Sequence, residues 1–157
     1  MTTTADPLSE VARIFDRAGI PYAVIGAHAV NAWLEPRFTA DVDITAAIDP
    51  ASLQRLKDLL AGEGYAVAGE HGTTLPSGPD FVRFASADGT VVLEVQAAKT
   101  ELQRTLIGRA IAVPQSACIG TIEDLIVLKL IANGPKDRAD LDGLVRLPDV
   151  DWMYVER

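Results

Sequence analysis

Two aspartates separated by a single residue, Asp41 and Asp43, are the groups best placed to do chemistry in this chain. On a β-strand, residues i and i+2 project from one face, so this spacing turns both carboxylates the same way and leaves Val42 and Ile44 for the core. Neighbouring carboxylates raise each other's pKa and repel unless a cation lies between them, and a hard divalent ion such as Mg²⁺ prefers oxygen ligands of this kind. An isolated Asp-x-Asp is more often a solvated strand face, so its surroundings decide the reading. Gly26 closes an apolar run ahead of the pair and opens a helix, an arrangement whose bare backbone amides can approach a phosphate; Ala27 follows it. Glu94, among Val91, Val92, Leu93 and Val95, is a third acid on an apolar strand and needs a partner. That partner is either a cation shared with the aspartates or Arg83, which a hairpin turn at Asp88 and Gly89 would set directly opposite. The two readings are compatible, because Arg83 could also face a triphosphate.

Three further cations stand in the right part of the chain. Lys129 is the one charge in the apolar stretch 125–132, and Lys136 opens the segment that runs to Asp140. Each has a structural alternative: Lys129 snorkelling to solvent, and Lys136 paired with Asp140 one helical turn away. Arg37, just ahead of the aspartates, either orients a phosphate or is a loop residue. Thr121 and Asp124 form a capping box in outline. The chain has no metal-binding histidine pair and no nucleophile elbow, so His28 and His71 receive no role.

The elements that would position these groups follow from periodicity and punctuation. Residues 7–18 carry apolar side chains at helical spacing up to Gly19. A short strand at 22–25, a glycine turn and a helix at 27–34 come next, then the aspartate strand at 41–45 and a helix over 50–62. After a short strand at 65–67, the Gly-, Thr- and Pro-rich stretch up to Pro79 reads as a loop. Runs at 81–86 and 90–96 form the antiparallel hairpin, and a strand at 110–113 precedes a helix from Thr121 to Ala132. The turn Asn133-Gly134-Pro135 starts a last helix ending near Arg146. The tail after Pro148, with Trp152 and Tyr154, either packs back or meets a partner.

With 157 residues, 48% hydrophobic and 23% charged, the composition is that of one globular domain able to bury roughly 70% of its unfolded surface. No apolar run approaches the ~20 residues of a membrane span, and residues 1–4 lack the features of a signal peptide, so a cytoplasmic location is expected. One cysteine, Cys118, excludes an internal disulfide and a thiolate metal cluster. The formal charge of −8 argues against a broad nucleic-acid surface.

Taken together, Gly26-Ala27-His28 and the run from Pro36 through Arg37 and Asp41 to Ile44 resemble the signature of the polymerase-beta-type nucleotidyltransferase superfamily. The later blocks, residues 123–129 and 136–140, are similar to those of the abortive-infection nucleotidyltransferase toxins and their uncharacterised relatives. The resemblance spans residues 20–144 and implies an α+β fold over a single domain, a central mixed sheet flanked by helices with a C-terminal helical pair. It further implies that Asp41, Asp43 and Glu94 bind two Mg²⁺ ions, Glu94 helping to deprotonate the acceptor. Gly26, Ala27, Arg37, Lys129 and Lys136 would bind a nucleoside triphosphate, whose NMP passes to an acceptor hydroxyl with release of pyrophosphate. The acceptor is open: tRNA, a protein or a small molecule, with a cognate antitoxin or a second copy of the chain as further partners. The sequence departs from the pattern in having Ala27 where Ser or Gly is usual, Glu94 where Asp is commoner, and no long helical C-terminal part. A catalytically degenerate nucleotide-binding or protein-interaction module is the alternative reading.

Overall fold

A computed structural model describes residues 6–72 and 78–157; part of the loop expected up to Pro79, residues 73–77, and the start of the chain lie outside the described residues. The first helix, α1 (Pro7–Ala18), is capped by Asp6 and stops at Gly19, whose φ of 67° supplies the expected left-handed ending. Strand β1 (Tyr22–Ile25) leads through Gly26 directly into α2 (Gly26–Trp33), and β2 (Asp41–Ala46) precedes α3 (Pro50–Gly62). Strand β3 (Tyr65–His71) is four residues longer than the expected 65–67. Exposed and interrupted by a register shift near Gly69, it lacks the continuous apolar pattern by which a strand is read.

The hairpin of β4 (Phe81–Ser86) and β5 (Val92–Ala97) sets Arg83 opposite Glu94, as expected. Its turn differs from the two-residue form: Gly89 N–H donates to the Ser86 carbonyl at 2.9 Å, and Gly89 follows the turn at φ 73°. The register is nonetheless that of the shorter connection. Next come α4 (Glu101–Arg109), β6 (Ile111–Ala112), β7 (Cys118–Ile119), α5 (Ile122–Ala132), α6 (Pro135–Leu144) and α7 (Trp152–Val155). Helix α6 ends two residues short of the expected limit, and α4, β7 and α7 were not anticipated.

The seven strands form one mixed sheet in the order β3-β4-β5-β2-β1-β7-β6. The central pair, β2 and β5, is parallel, with β1 antiparallel to β2 and β4 antiparallel to β5. Alternation divides this centre into two faces. Val42, Ile44, Leu93, Val95, Val82 and Phe84 point to one and are buried with Val11, Ile14 and Phe15 of α1 and Leu53, Leu56 and Leu60 of α3. Asp41, Asp43, Glu94 and Gln96 point to the other, over which α5 packs with α2, α6 and α7 around it. The tail packs back: Tyr154 donates its hydroxyl to Asp124 at 2.5 Å, and the backbone of Asp151 donates to Glu123 at 2.9 Å. Among the described residues no helix is long and apolar enough to cross a membrane.

Candidate functional site

Strand pairing alone lines up the central groups. Asp43 is the register partner of Ile25 on β1 and of Glu94 on β5, and Glu94 that of Arg83 on β4, so one row crosses four strands. Gly26 follows Ile25 with φ 68°, a conformation that favours glycine. A side chain there would run into the Asp43 carboxylate, a Cβ lying 2.9 Å from Asp43 Cβ and Cγ. The glycine turn and the carboxylate strand are thus in direct contact.

Burial pushes the Asp43 carboxyl up to about 7, with a side-chain hydrogen bond to Glu94 and the charges of Glu94 and Asp41 adding to the rise, and Lys129 opposing it. Arg83 approaches Glu94 only to 3.8 Å. Asp41 lies one pair further along the same face, opposite Val92, and does not line the cavity. Among the described residues no three carboxylate, imidazole or thiol groups are arranged to enclose a metal ion as they stand.

A cavity of about 400 Å³ opens over the pair, bounded by Gly26, Asp43 and Glu94 on the sheet side and by Leu125, Leu128 and Lys129 of α5 on the other. Phe81, Gln96 and Ile131 also line it. Lys129 Nζ lies 3.1 Å from Asp137 Oδ1 and 3.0 Å from Asp140 Oδ2, both on α6.

The remaining cations lie elsewhere. Arg37 does not line the cavity; its guanidinium is 3.1 Å from Asp140 Oδ2. Lys136 is exposed in the first turn of α6 and does not line the cavity, and Asp140, its expected partner, is taken by Lys129 and Arg37. Ala27 is half-buried in the first turn of α2, where it offers no hydroxyl. His28, whose Nε2 is buried without a hydrogen bond, and His71 do not line the cavity either.

Sequence reasoning passed over Asp137 and Asp140 as the holders of Lys129. The position of Asp137 at N3 of a helix opening Gly-Pro was a visible cue, and its Oδ2 accepts from Gly134 N–H at 2.9 Å. The Asp140 contact to Arg37 joins residues 103 apart and left no local trace.

The same architecture occurs in proteins of known structure. An antigenic nucleotidyltransferase-like protein from Paracoccidioides brasiliensis superposes with a TM-score of 0.58 at 18% identity, over 88% of this chain and 73% of its own. The antibiotic-resistance factor ANT(2'')-Ia gives 0.52 at 16% identity, over 92% and 74%. JHP933 from Helicobacter pylori gives 0.51 at 21% identity, over 91% and 68%. No family model and no curated protein matches the sequence. At these identities the likeness is one of fold, and the fold of this chain is the mixed α/β fold of nucleotidyltransferases.

Proposed function

We propose that the chain is a Mg²⁺-dependent nucleotidyltransferase that moves NMP from a nucleoside triphosphate to an acceptor hydroxyl. The observation carrying this reading is the Asp43–Glu94 pair, which faces Lys129 across the cavity and touches Gly26. Two adjacent, half-buried carboxylates, of which Asp43 is pushed up to about 7, are a donor set suited to a hard divalent ion. Asp43 and Glu94 would hold it, and Asp41, on the same face, would complete the set for two ions. Bound there, Mg²⁺ supplies charge stabilisation to the attacking and leaving oxygens of an in-line displacement.

The chain's own groups do the rest. Gly26 leaves room for the triphosphate against the start of α2, Ala27 contributes only its backbone, and Lys129 offsets phosphate charge. The acceptor oxygen bonds to the α-phosphorus, the bond from that phosphorus to the bridging oxygen breaks, pyrophosphate leaves, and Glu94 takes the hydroxyl proton. Arg37 and Lys136, expected at the nucleotide, lie outside the cavity and are not assigned to it here.

Within this class we favour a cytoplasmic enzyme resembling the abortive-infection toxins, from the blocks around Lys129 and Asp140, with a cognate antitoxin as the partner that reading entails. The acceptor is an RNA such as tRNA, a protein or a small molecule; the charge of −8 favours the last two. One set of observations favours the second reading, a degenerate binding module: the missing hydroxyl at Ala27 and the placement of Asp41 outside the cavity.

Thermal unfolding of the wild type and Asp43→Ala with each of the four triphosphates, with and without Mg²⁺, tests the proposal, because a ligand of the folded state raises its stability by mass action. The enzyme reading expects a shift that requires both Mg²⁺ and a triphosphate and disappears in the variant, followed by transfer of labelled nucleotide. Binding without transfer upholds the module. No shift at several millimolar of any triphosphate sinks the enzyme and the nucleotide-binding module and leaves a degenerate scaffold that acts as a protein-interaction module.

A further inference from the structure

Among the described residues Lys129 is the one cationic side chain that lines the cavity, and it does not reach there unaided. Its side chain, only 13% exposed, donates to Asp137 Oδ1 at 3.1 Å and is ion-paired with Asp140 Oδ2 at 3.0 Å. Asp140 is itself buried and carries a second cation, Arg37, at 3.1 Å. The loop bearing Arg37 is pinned in turn. Asn31, on α2, donates through Nδ2 to the Arg37 carbonyl at 2.7 Å and accepts from the Arg37 amide at 3.1 Å. Two cations and two carboxylates balance, so no charge of the cluster is left uncompensated. A lysine stem left to itself samples many rotamers; this chain of contacts, running from α2 through the loop before β2 to α6 and α5, confines it to one.

We propose that Asp140 is a positioning residue for the phosphate-binding lysine, and that Arg37 acts on the site through Asp140, without touching phosphate. The proposal rests on the nucleotidyltransferase reading of the cavity, and its test separates the two.

The first measurement uses the ligand-free protein: the ¹⁵N-edited signal of the Lys129 ammonium, assigned by its disappearance in Lys129→Arg. Held between two carboxylates, the group gives a slowly exchanging signal in the wild type, which Asp140→Asn abolishes and Arg37→Gln weakens. Arg37 is 45% exposed, so the second variant keeps its fold even where loss of the buried Asp140 charge disturbs it. The second measurement is affinity for a triphosphate with Mg²⁺. Asp140→Asn weakens it about tenfold and Arg37→Gln about threefold, in line with the effect of losing an orienting neighbour. Arg37→Lys restores the wild-type value, and Arg37→Gln has no effect in the Asp140→Asn background, as one chain of action requires.

A Lys129 signal that persists in Asp140→Asn overturns the proposal. So does an Arg37→Gln variant that loses affinity with the signal intact, since Arg37 would then contact phosphate directly. Signals behaving as expected in a protein that binds no triphosphate uphold the positioning of Lys129 and overturn the nucleotidyltransferase reading, and with it the phosphate half of the proposal.

Discussion

On the α6 side of the cavity, Asp137 and Asp140 enclose Lys129 at 3.1 and 3.0 Å, and Arg37 supplies a second positive charge. On the sheet side, Asp43 meets Glu94, and among the described residues the nearest ion-pair partner of either is Arg83, 3.8 Å from Glu94. The consequences for titration are opposite. Asp137 is held below the usual carboxylate range by the backbone of Gly134 and by Lys129, while Asp43 is pushed up to about 7. The carboxylates of α6 have their cations built in, whereas Asp43 faces Glu94 and Asp41 and is held up by burial and by those like charges.

The largest effect that would break this comparison is on transfer. Asp43→Asn should lower the rate about 10³-fold, near 4 kcal/mol of transition-state stabilisation, while the unfolding temperature holds or rises. The amide can donate a hydrogen bond to Glu94 and cannot ionise against the burial that raises the Asp43 carboxyl. Asp137→Asn should behave in reverse at the level of stability, losing about 1 kcal/mol with its helix cap and its ion pair. Labelled-nucleotide transfer and calorimetry on both variants check this. A destabilised Asp43→Asn beside an unaffected Asp137→Asn would show the roles to be exchanged.

Next in size is Gly26→Ala. A methyl group there meets the Asp43 carboxylate, and the backbone sits at φ 68°, so a loss of about 2–4 kcal/mol is expected together with loss of nucleotide binding. Gly108→Ala is the matched control: nothing lies within 4 Å of its Cβ, and in a helix it should stabilise by about 0.5–1 kcal/mol. Urea unfolding separates them, and equal effects at the two glycines would mean that the contact between Gly26 and Asp43 carries no weight.

What could be read in advance is what period and punctuation encode. The i, i+2 spacing of Asp41 and Asp43, the glycine turn at Gly26 and the register of Arg83 with Glu94 are local, and each stood as expected. Helix α4 escaped because Leu106 is its one buried side chain, although the capping box of Thr100 and Gln103 marked its start. Strand β7 has two residues and α7 has four, too few for any period to declare itself. Thr121 caps α5 by accepting from the Asp124 N–H, but the reciprocal half of the anticipated box does not form: Asp124 is fully buried and its carboxylate accepts from the Thr121 hydroxyl, Arg109 and Tyr154, contacts fixed by tertiary packing. The same holds for Asp140, whose two cations come from residues 37 and 129.

The comparison can be sharpened with pH. A group whose pKa is higher in the folded state adds stability that is complete below its unfolded value and lost as pH rises through the folded one. For Asp43, raised from 3.8 to about 7, the window runs between those values. Without metal the wild type should lose on the order of 3–4 kcal/mol relative to Asp43→Asn between pH 4 and pH 7.5. Carboxylates held low, such as Asp88 at about 2 and Asp137, act in both proteins alike and at lower pH, so they cancel in the difference. On the proposed function Mg²⁺ would compete with the Asp43 proton, and its affinity should climb through neutral pH and level off above about 7. Chemical unfolding across this range, with and without Mg²⁺, reads both. Parallel curves for wild type and variant would remove the Asp43 proton from the account.

The smallest effect concerns Arg83, and it decides whether Glu94 belongs to a cation bound with Asp43 or to its cross-strand neighbour. At 3.8 Å, with the arginine side chain 45% exposed, the contact is too long for a hydrogen bond and well screened by solvent. Arg83→Gln should therefore change stability by no more than about 0.5 kcal/mol. Mg²⁺ affinity, followed by the metal-induced shift in unfolding temperature, should move less than threefold and toward tighter binding, because a competing positive charge has left the row. A variant that instead lost more than about 1 kcal/mol and bound Mg²⁺ no better would make Glu94 the structural partner of Arg83. The sheet side of the cavity would then resemble the α6 side, two carboxylates with their cation already in place.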